Sequence, residues 1–168
     1  MNKTNKTQIL VMSALLAALC CIATMVIKIP LPFKGYLNLG DSIVLLASWM
    51  LPLQYSFLAA GLGSALADIF SGYVTYAPAT FIIKGLMALA AYYIYKILKD
   101  KIGNLWSMII GGIIAEVIMV LGYFVFEGFL YGFIPSMVNI PMNSIQGIAG
   151  IVVGTILINI FKKIKPLL

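Results

Sequence analysis

Six stretches of the chain are apolar enough, for long enough, to be read as helices that cross a membrane or lie buried within one. A lone helix needs about 20 mostly apolar residues to cross a bilayer, and fewer where neighbours shield it from lipid. The first stretch covers 8–27, from Gln8 to Ile27, and the second, near 39–51, is short and ends before Pro52. The third covers 54–71, the fourth 79–98, the fifth 105–127 and the sixth 139–161. Helix-interrupting residues fall between them: Pro30 and Pro32, Pro52, the run Gly72 to Pro78, the polar run Lys99 to Asn104, and Gly132 to Pro141. The first stretch is too long for a cleaved leader and lacks a small-residue cleavage site followed by a polar domain, so it is expected to remain as a helix. The pattern predicts an all-α integral membrane protein of six transmembrane helices.

Polar residues inside these stretches are the next signal, because an ionised side chain at mid-bilayer costs about 2.5–3.5 kcal/mol and needs a reason. Asp41, Asp68, Lys84, Glu116 and Glu127 lie in or at the ends of spans. On the fifth helix Glu116, Tyr123 and Glu127 follow i, i+7, i+11 spacing, one stripe of a 3.6-residue helix. On the sixth, Asn139, Asn143 and Gln146 follow i, i+4, i+7, and Gly150 and Gly154 continue that face, leaving room for a backbone or a ligand. Glu116 precedes Glu127 by eleven residues, about 16 Å at 1.5 Å per residue, which puts it near the midplane. Asp41 is expected to start the second helix at the same membrane face as Glu127, and Lys84 to lie little more than one turn inside the fourth. Lys84 could pair with Asp68 or with Glu116. Polar groups gathered at one depth on one side suggest a pocket open to that side. The alternative is interhelical glue. A loop from Lys28 to Asn38, with Phe33 and Tyr36, is long enough to cover such a pocket.

Small residues form a separate pattern. Ala14, Ala17, Ala18 and Cys21 line one stripe of the first helix, a spacing that lets another helix approach closely. Gly61, Ser64 or Ala65, and Asp68 make a similar stripe on the third, read as internal packing.

Composition agrees with the spans: 62% of the 168 residues are hydrophobic and 10% charged. A soluble domain runs about 45–50% apolar and about 25% charged, so a water-soluble globule is excluded, as is a disordered chain. There is no histidine, which removes the commonest general base and metal ligand. Cys20 and Cys21 are adjacent and can neither staple distant segments nor form a metal site. The net charge of +6 comes from eleven lysines against five acids. Lys3, Lys6, Lys96, Lys99, Lys101, Lys162, Lys163 and Lys165 fall on one side of a six-span topology, and only Lys28 and Lys34 on the other. That asymmetry puts both termini in the cytoplasm and makes the charge a topology signal with no nucleic-acid partner implied. No nucleotide-binding motif, no Gly-x-Ser-x-Gly and no inverted repeat is present. A small membrane protein with an outward pocket and no motor needs a partner to move anything.

Three blocks carry a family resemblance: Tyr36-Leu37-Asn38-Leu39-Gly40-Asp41; Gly61-Leu62-Gly63-Ser64-Ala65-Leu66-Ala67-Asp68; and Tyr76-Ala77-Pro78-Ala79-Thr80-Phe81-Ile82-Ile83-Lys84-Gly85. In this order and spacing, with Ala14-x-x-x-Ala18 in the first helix, the chain resembles a substrate-binding S component of an energy-coupling factor (ECF) vitamin transporter. The branch is the one that groups riboflavin, hydroxymethylpyrimidine and pyridoxine carriers, and the likeness covers essentially the whole length. It implies one transmembrane substrate-binding domain over 1–168 in a bacterial plasma membrane, with no cofactor, no resident metal and no catalytic residues. It also implies capture of a vitamin from outside beneath the loop between the first two helices. A transmembrane coupling protein would dock on Ala14 and Ala18, and two cytoplasmic ATPases would drive the bundle to topple and release the vitamin inside. The substrate-lining set carried over is Tyr36, Asn38, Asp41, Lys84, Glu116, Tyr123, Glu127, Tyr131, Asn139, Asn143 and Gln146. The acids and the absence of arginine disfavour a phosphorylated or dianionic ligand. They suit a small neutral or weakly basic heteroaromatic ring such as pyridoxine or hydroxymethylpyrimidine, with riboflavin as the alternative. Two rival readings remain: a membrane-embedded enzyme using Asp41, Asp68 and Glu116, or a scaffold without ligand.

Overall fold

Helix ends in this chain follow glycine and proline more closely than they follow hydrophobicity. The computed structural model describes residues 3–30 and 36–164. Helix α1 runs Lys3–Val26, α2 Gly40–Met50, α3 Leu53–Phe70, α4 Ala77–Ile102 and α5 Asn104–Tyr131. A short helix α6, Phe133–Ser136, and a 3₁₀ turn at Met137–Asn139 lead without a gap into α7, Ile140–Ile164. The apolar stretches mark the lipid-facing part of each helix, whereas the backbone ladder continues into polar flanks. Hence α4 runs on through Lys99 and Lys101 and stops at Gly103, whose φ of 81° is open to glycine and closed to most side chains. The expected break from Gly132 to Pro141 is corrected: after Gly132 the segment is helical. Pro141 sits in the first turn of α7, where a missing N–H is tolerated.

Strands β1 (Ile29–Pro30) and β2 (Tyr36–Leu37) pair antiparallel, Ile29 with Leu37 and Pro30 with Tyr36. This ribbon joins α1 to α2 and marks one end of the bundle. The expected loop residues Pro32, Phe33 and Lys34 lie outside the described residues.

Among the described residues, five helical segments are long and apolar enough to cross a membrane: Lys6–Val26, Leu53–Phe70, Ala77–Ile102, Asn104–Tyr131 and Phe133–Phe161. The sixth apolar helix, α2, has eleven residues, about 16 Å of helix, and cannot cross a core about 30 Å thick. It has no need to. Every residue from Gly40 to Ser48 is buried, because α1, α3, α4 and α7 enclose α2 on all sides. Its start is therefore deep in the bundle, and Asp41 is fully buried. That corrects the expectation that Asp41 lies at the membrane face.

Around this central helix the core is made by Leu16, Val44, Leu45, Leu46, Met87 and Met119, with alanines where helices come close. The outer surface is apolar as well, through residues such as Leu10, Leu15, Ile82, Val117, Leu121 and Ile148. Helices apolar both inside and outside are those of a bilayer protein.

Close approaches divide the small-residue stripes. On α3 Gly63 meets the Ala17 carbonyl and the Cys20 side chain of α1, while Gly61 faces Phe81 of α4. Ala17 and Cys20 are thus used inside the bundle, and Ala14 and Ala18 stay exposed on α1.

Candidate binding site

A polar pocket opens at the ribbon end, where four connections converge: β2, the α3–α4 turn, the end of α5 and the start of α7. Its lining comprises Tyr36 and Asn38 from the ribbon, and Asp68, Tyr73, Tyr76 and Thr80 around the turn. Tyr123 and Glu127 of α5 and Asn143 and Gln146 of α7 complete it. Its free volume is about 40 Å³, room for a few waters at the 10–15 Å³ each requires.

One wall is aromatic. Tyr36 packs on Tyr73 with centroids 5.0 Å apart, Tyr73 meets Tyr76 edge-on at 6.1 Å, and Tyr76 meets Phe126 at 5.1 Å. The rest of the lining is rich in acceptors. Tyr36 donates its hydroxyl to Asp68 Oδ1 at 2.7 Å, which ties the ribbon to the end of α3. Burial, and Asp68 beside it, push the Tyr36 hydroxyl above its ordinary range, so it serves as a neutral donor. Glu127 accepts from Asn139 Nδ2 at 2.9 Å and from the Tyr76 hydroxyl at 3.4 Å. Thr80 and Tyr123 share a hydrogen bond of 3.0 Å across α4 and α5.

The floor is an ordered relay. The Asn38 backbone N–H donates to Gln146 Oε1 at 2.9 Å, and Gln146 Nε2 donates to Asp41 Oδ2 at 2.6 Å. Asp41 Oδ1 is ion-paired with Lys84, the two side chains being 0% and 3% exposed. The Lys84 ammonium also lies 5.5 Å from the centre of the Tyr123 ring, a cation–π distance. Asn38 Oδ1 accepts the Gly40 N–H and so fixes the entry to α2. This pairing corrects the expectation that Lys84 joins Asp68 or Glu116. The physical reason is the depth of α2: its first turn delivers Asp41 between α4 and α7, seven residues into α4, whereas Asp68 stays at the pocket wall with Tyr36.

The expected substrate residues divide accordingly. Tyr36, Asn38, Tyr123, Glu127, Asn143 and Gln146 line the cavity. Asp41 and Lys84 lie beneath Gln146, Asn139 stands behind Glu127, and Glu116 is deeper still, against Gly147 and Gly150 of α7. Tyr131 is half-buried at the end of α5 and is not among the lining side chains. Four lining residues were outside the expected set: Asp68, Tyr73, Tyr76 and Thr80. The spacing Tyr73, Tyr76, Thr80 (i, i+3, i+7) carried the signal, but it spans a segment that reads as a break.

Comparison with known proteins places this geometry in a family. A model of the "ECF-type riboflavin transporter, S component" matches residues 4–163. A protein of Pyrococcus woesei, described as an uncharacterized protein of the gap 3′ region, is 33% identical over 149 residues, 88% of this chain and 97% of its own. The solved S component of a bacterial ECF transporter superposes with a TM-score of 0.77 at 28% identity, over 95% of this chain and 98% of that one. With a match along nearly its whole length, the chain belongs to the S components of ECF-type riboflavin transporters, membrane subunits of a transport system and not enzymes.

Proposed function

We propose that the chain captures riboflavin at the ribbon end of the bundle. The observation that carries this reading is the chemistry of the lining: acceptors from Asp68, Glu127, Asn143 and Gln146, a wall of tyrosines, and no lysine among the described residues on the cavity surface. A neutral flat ring with several N–H and O–H donors matches that set, with its face on the aromatics and its donors toward carboxylates and amides. Riboflavin also agrees with the family whose model the chain matches. A phosphate ester would face two lining acids, Asp68 and Glu127, with no lysine among the described lining residues.

The ribbon end faces outward in this reading, and both termini face the cytoplasm of a cell whose plasma membrane holds the bundle. A transmembrane coupling protein docks on α1 at Ala14 and Ala18, and two ATPases drive the bundle to topple and release the vitamin. Pyridoxine or hydroxymethylpyrimidine is the second reading. The cavity of about 40 Å³ favours it, because a single ring asks for less rearrangement than a flavin.

The test is equilibrium titration of the purified protein with riboflavin, riboflavin phosphate, pyridoxine and hydroxymethylpyrimidine, using flavin quenching and calorimetry. Riboflavin should bind tightly, and its phosphate at least about 100-fold more weakly, since like-charge contacts cost several kcal/mol. Equal affinity for the phosphate ester would sink the proposal. Binding of a single-ring compound with no binding of riboflavin would move the assignment to the second reading.

A further inference from the structure

The free space in the pocket, about 40 Å³, is small beside a vitamin ring, so a ligand gains from a lining that can make room. The pocket walls combine packed helices with the ribbon and the α3–α4 turn, and its floor is a chain of side chains: Gln146, then Asp41, then Lys84. Beside that chain lies a carboxyl group with nothing to hold. Both oxygens of Glu116 are buried without a hydrogen-bond partner among the described residues, and the side chain is 6% exposed.

Geometry puts Glu116 next to the floor. A Cβ placed on Gly150 would lie 2.9 Å from Asp41 Cβ and 3.0 Å from Glu116 Oε1. The two acids therefore flank a single glycine of α7, and a Cβ placed on Gly147 would lie 3.1 Å from Glu116 Oε2. Two carboxyl groups and one ammonium share this dry spot, and among the described residues the ammonium is ion-paired with Asp41 and not with Glu116. Lysine carries its charge on a flexible four-carbon stem, and the Tyr123 face gives the ammonium an attractive surface on α5, the helix that bears Glu116.

We propose that Glu116 is the second seat of the Lys84 ammonium: ligand donors that engage Asp41 and Gln146 release Lys84, which swings to Glu116 and deepens the pocket. The exchange is favourable for a simple reason. In the present arrangement one buried carboxyl is unpartnered, whereas after the swing Asp41 is held by ligand and Gln146, and Glu116 by Lys84. A ligand shifts a two-state element only through interactions that differ between the states, and here the difference is one buried group satisfied. Because Asn38 of the ribbon is bonded to Gln146, the same exchange reports to the ribbon that covers the pocket. Glu116 acts through Lys84 and is a positioning residue.

The inference rests on riboflavin as the ligand, and the experiment separates the two claims. The chain has only two glutamates, Glu116 and Glu127, so protein labelled with ¹³C at the glutamate carboxyl gives two resonances, assigned with Glu116→Gln. Riboflavin should shift the Glu116 resonance. In Glu116→Gln, which keeps the shape but cannot neutralise Lys84, riboflavin affinity should fall about tenfold or more. The thermal midpoint of ligand-free Glu116→Gln should not fall, whereas a merely structural Glu116 would lower midpoint and affinity together. Unchanged affinity in Glu116→Gln, or a Glu116 resonance that stays still as riboflavin binds, would overturn the switch alone. Failure of riboflavin to bind the unmodified protein would overturn the functional reading and the switch with it.

Discussion

Two residues, one lining the pocket and one beneath its floor, separate what holds the ligand from what holds the bundle. The Asn143 amide faces the cavity with no hydrogen-bond partner among the described residues. Asn143→Leu breaks no bond within the described bundle, so it should leave the thermal midpoint close to the parent's and weaken riboflavin at least about tenfold, the worth of one lost bond to a buried polar group, as read by titration. Lys84 is the opposite case. Lys84→Met strands the Asp41 carboxylate in a dry interior, which costs about 3–5 kcal/mol, and Asp41→Asn in the same chain should recover most of that loss in thermal unfolding. An additive double mutant would show that the pair does not act as one. The sequence displays half of this chemistry. The stripe Glu116, Tyr123, Glu127 and the stripe Asn139, Asn143, Gln146 are legible from helical spacing, since both lie on uninterrupted helices. The partner of Lys84 is not, because it depends on where α2 begins in depth, and a start held inside the bundle by four neighbours leaves no local mark.

At the scale of elements, the five long helices and the shortness of α2 are legible because lipid demands long apolar runs and burial inside the bundle excuses a short one. Exact ends are less so, since helices continue past the apolar run until a glycine such as Gly103 or Gly132 stops them. The small residues of α1 are legible as a stripe but not by use. Gly63 of α3 approaches Ala17 and Cys20 so closely that its Cβ has no room against a backbone carbonyl, while Ala14 and Ala18 remain outside. Gly63→Val should consequently force α1 from α3 and cost about 1–3 kcal/mol, seen as a lower thermal midpoint. Ala14→Trp with Ala18→Trp should instead leave stability and riboflavin affinity unchanged and stop uptake in cells that contain the coupling module. Normal uptake by that double mutant would remove α1 as the docking face.

The whole molecule is polar in two different ways at its two ends. Ribbon, tyrosines and pocket occupy one end, with Lys28 bonded to Ser71 there. The helix ends bearing Lys6, Lys96, Lys99 and Lys101 occupy the other. Lysines flank the cytoplasmic ends of membrane helices, so the pocket should open to the outside, the orientation that the proposed capture of a vitamin from outside requires. Single cysteines test this with little background, because Cys20 is buried and Cys21 half-buried within α1. Val74, 60% exposed in the turn beside the pocket, and Lys101, exposed at the far end of α4, are the positions to change. Val74→Cys should react with a membrane-impermeant maleimide in intact cells, and Lys101→Cys only after the cells are opened. The reverse pattern would put the pocket in the cytoplasm, where its acceptors would meet vitamin already inside the cell and the transport reading would fail at its first step.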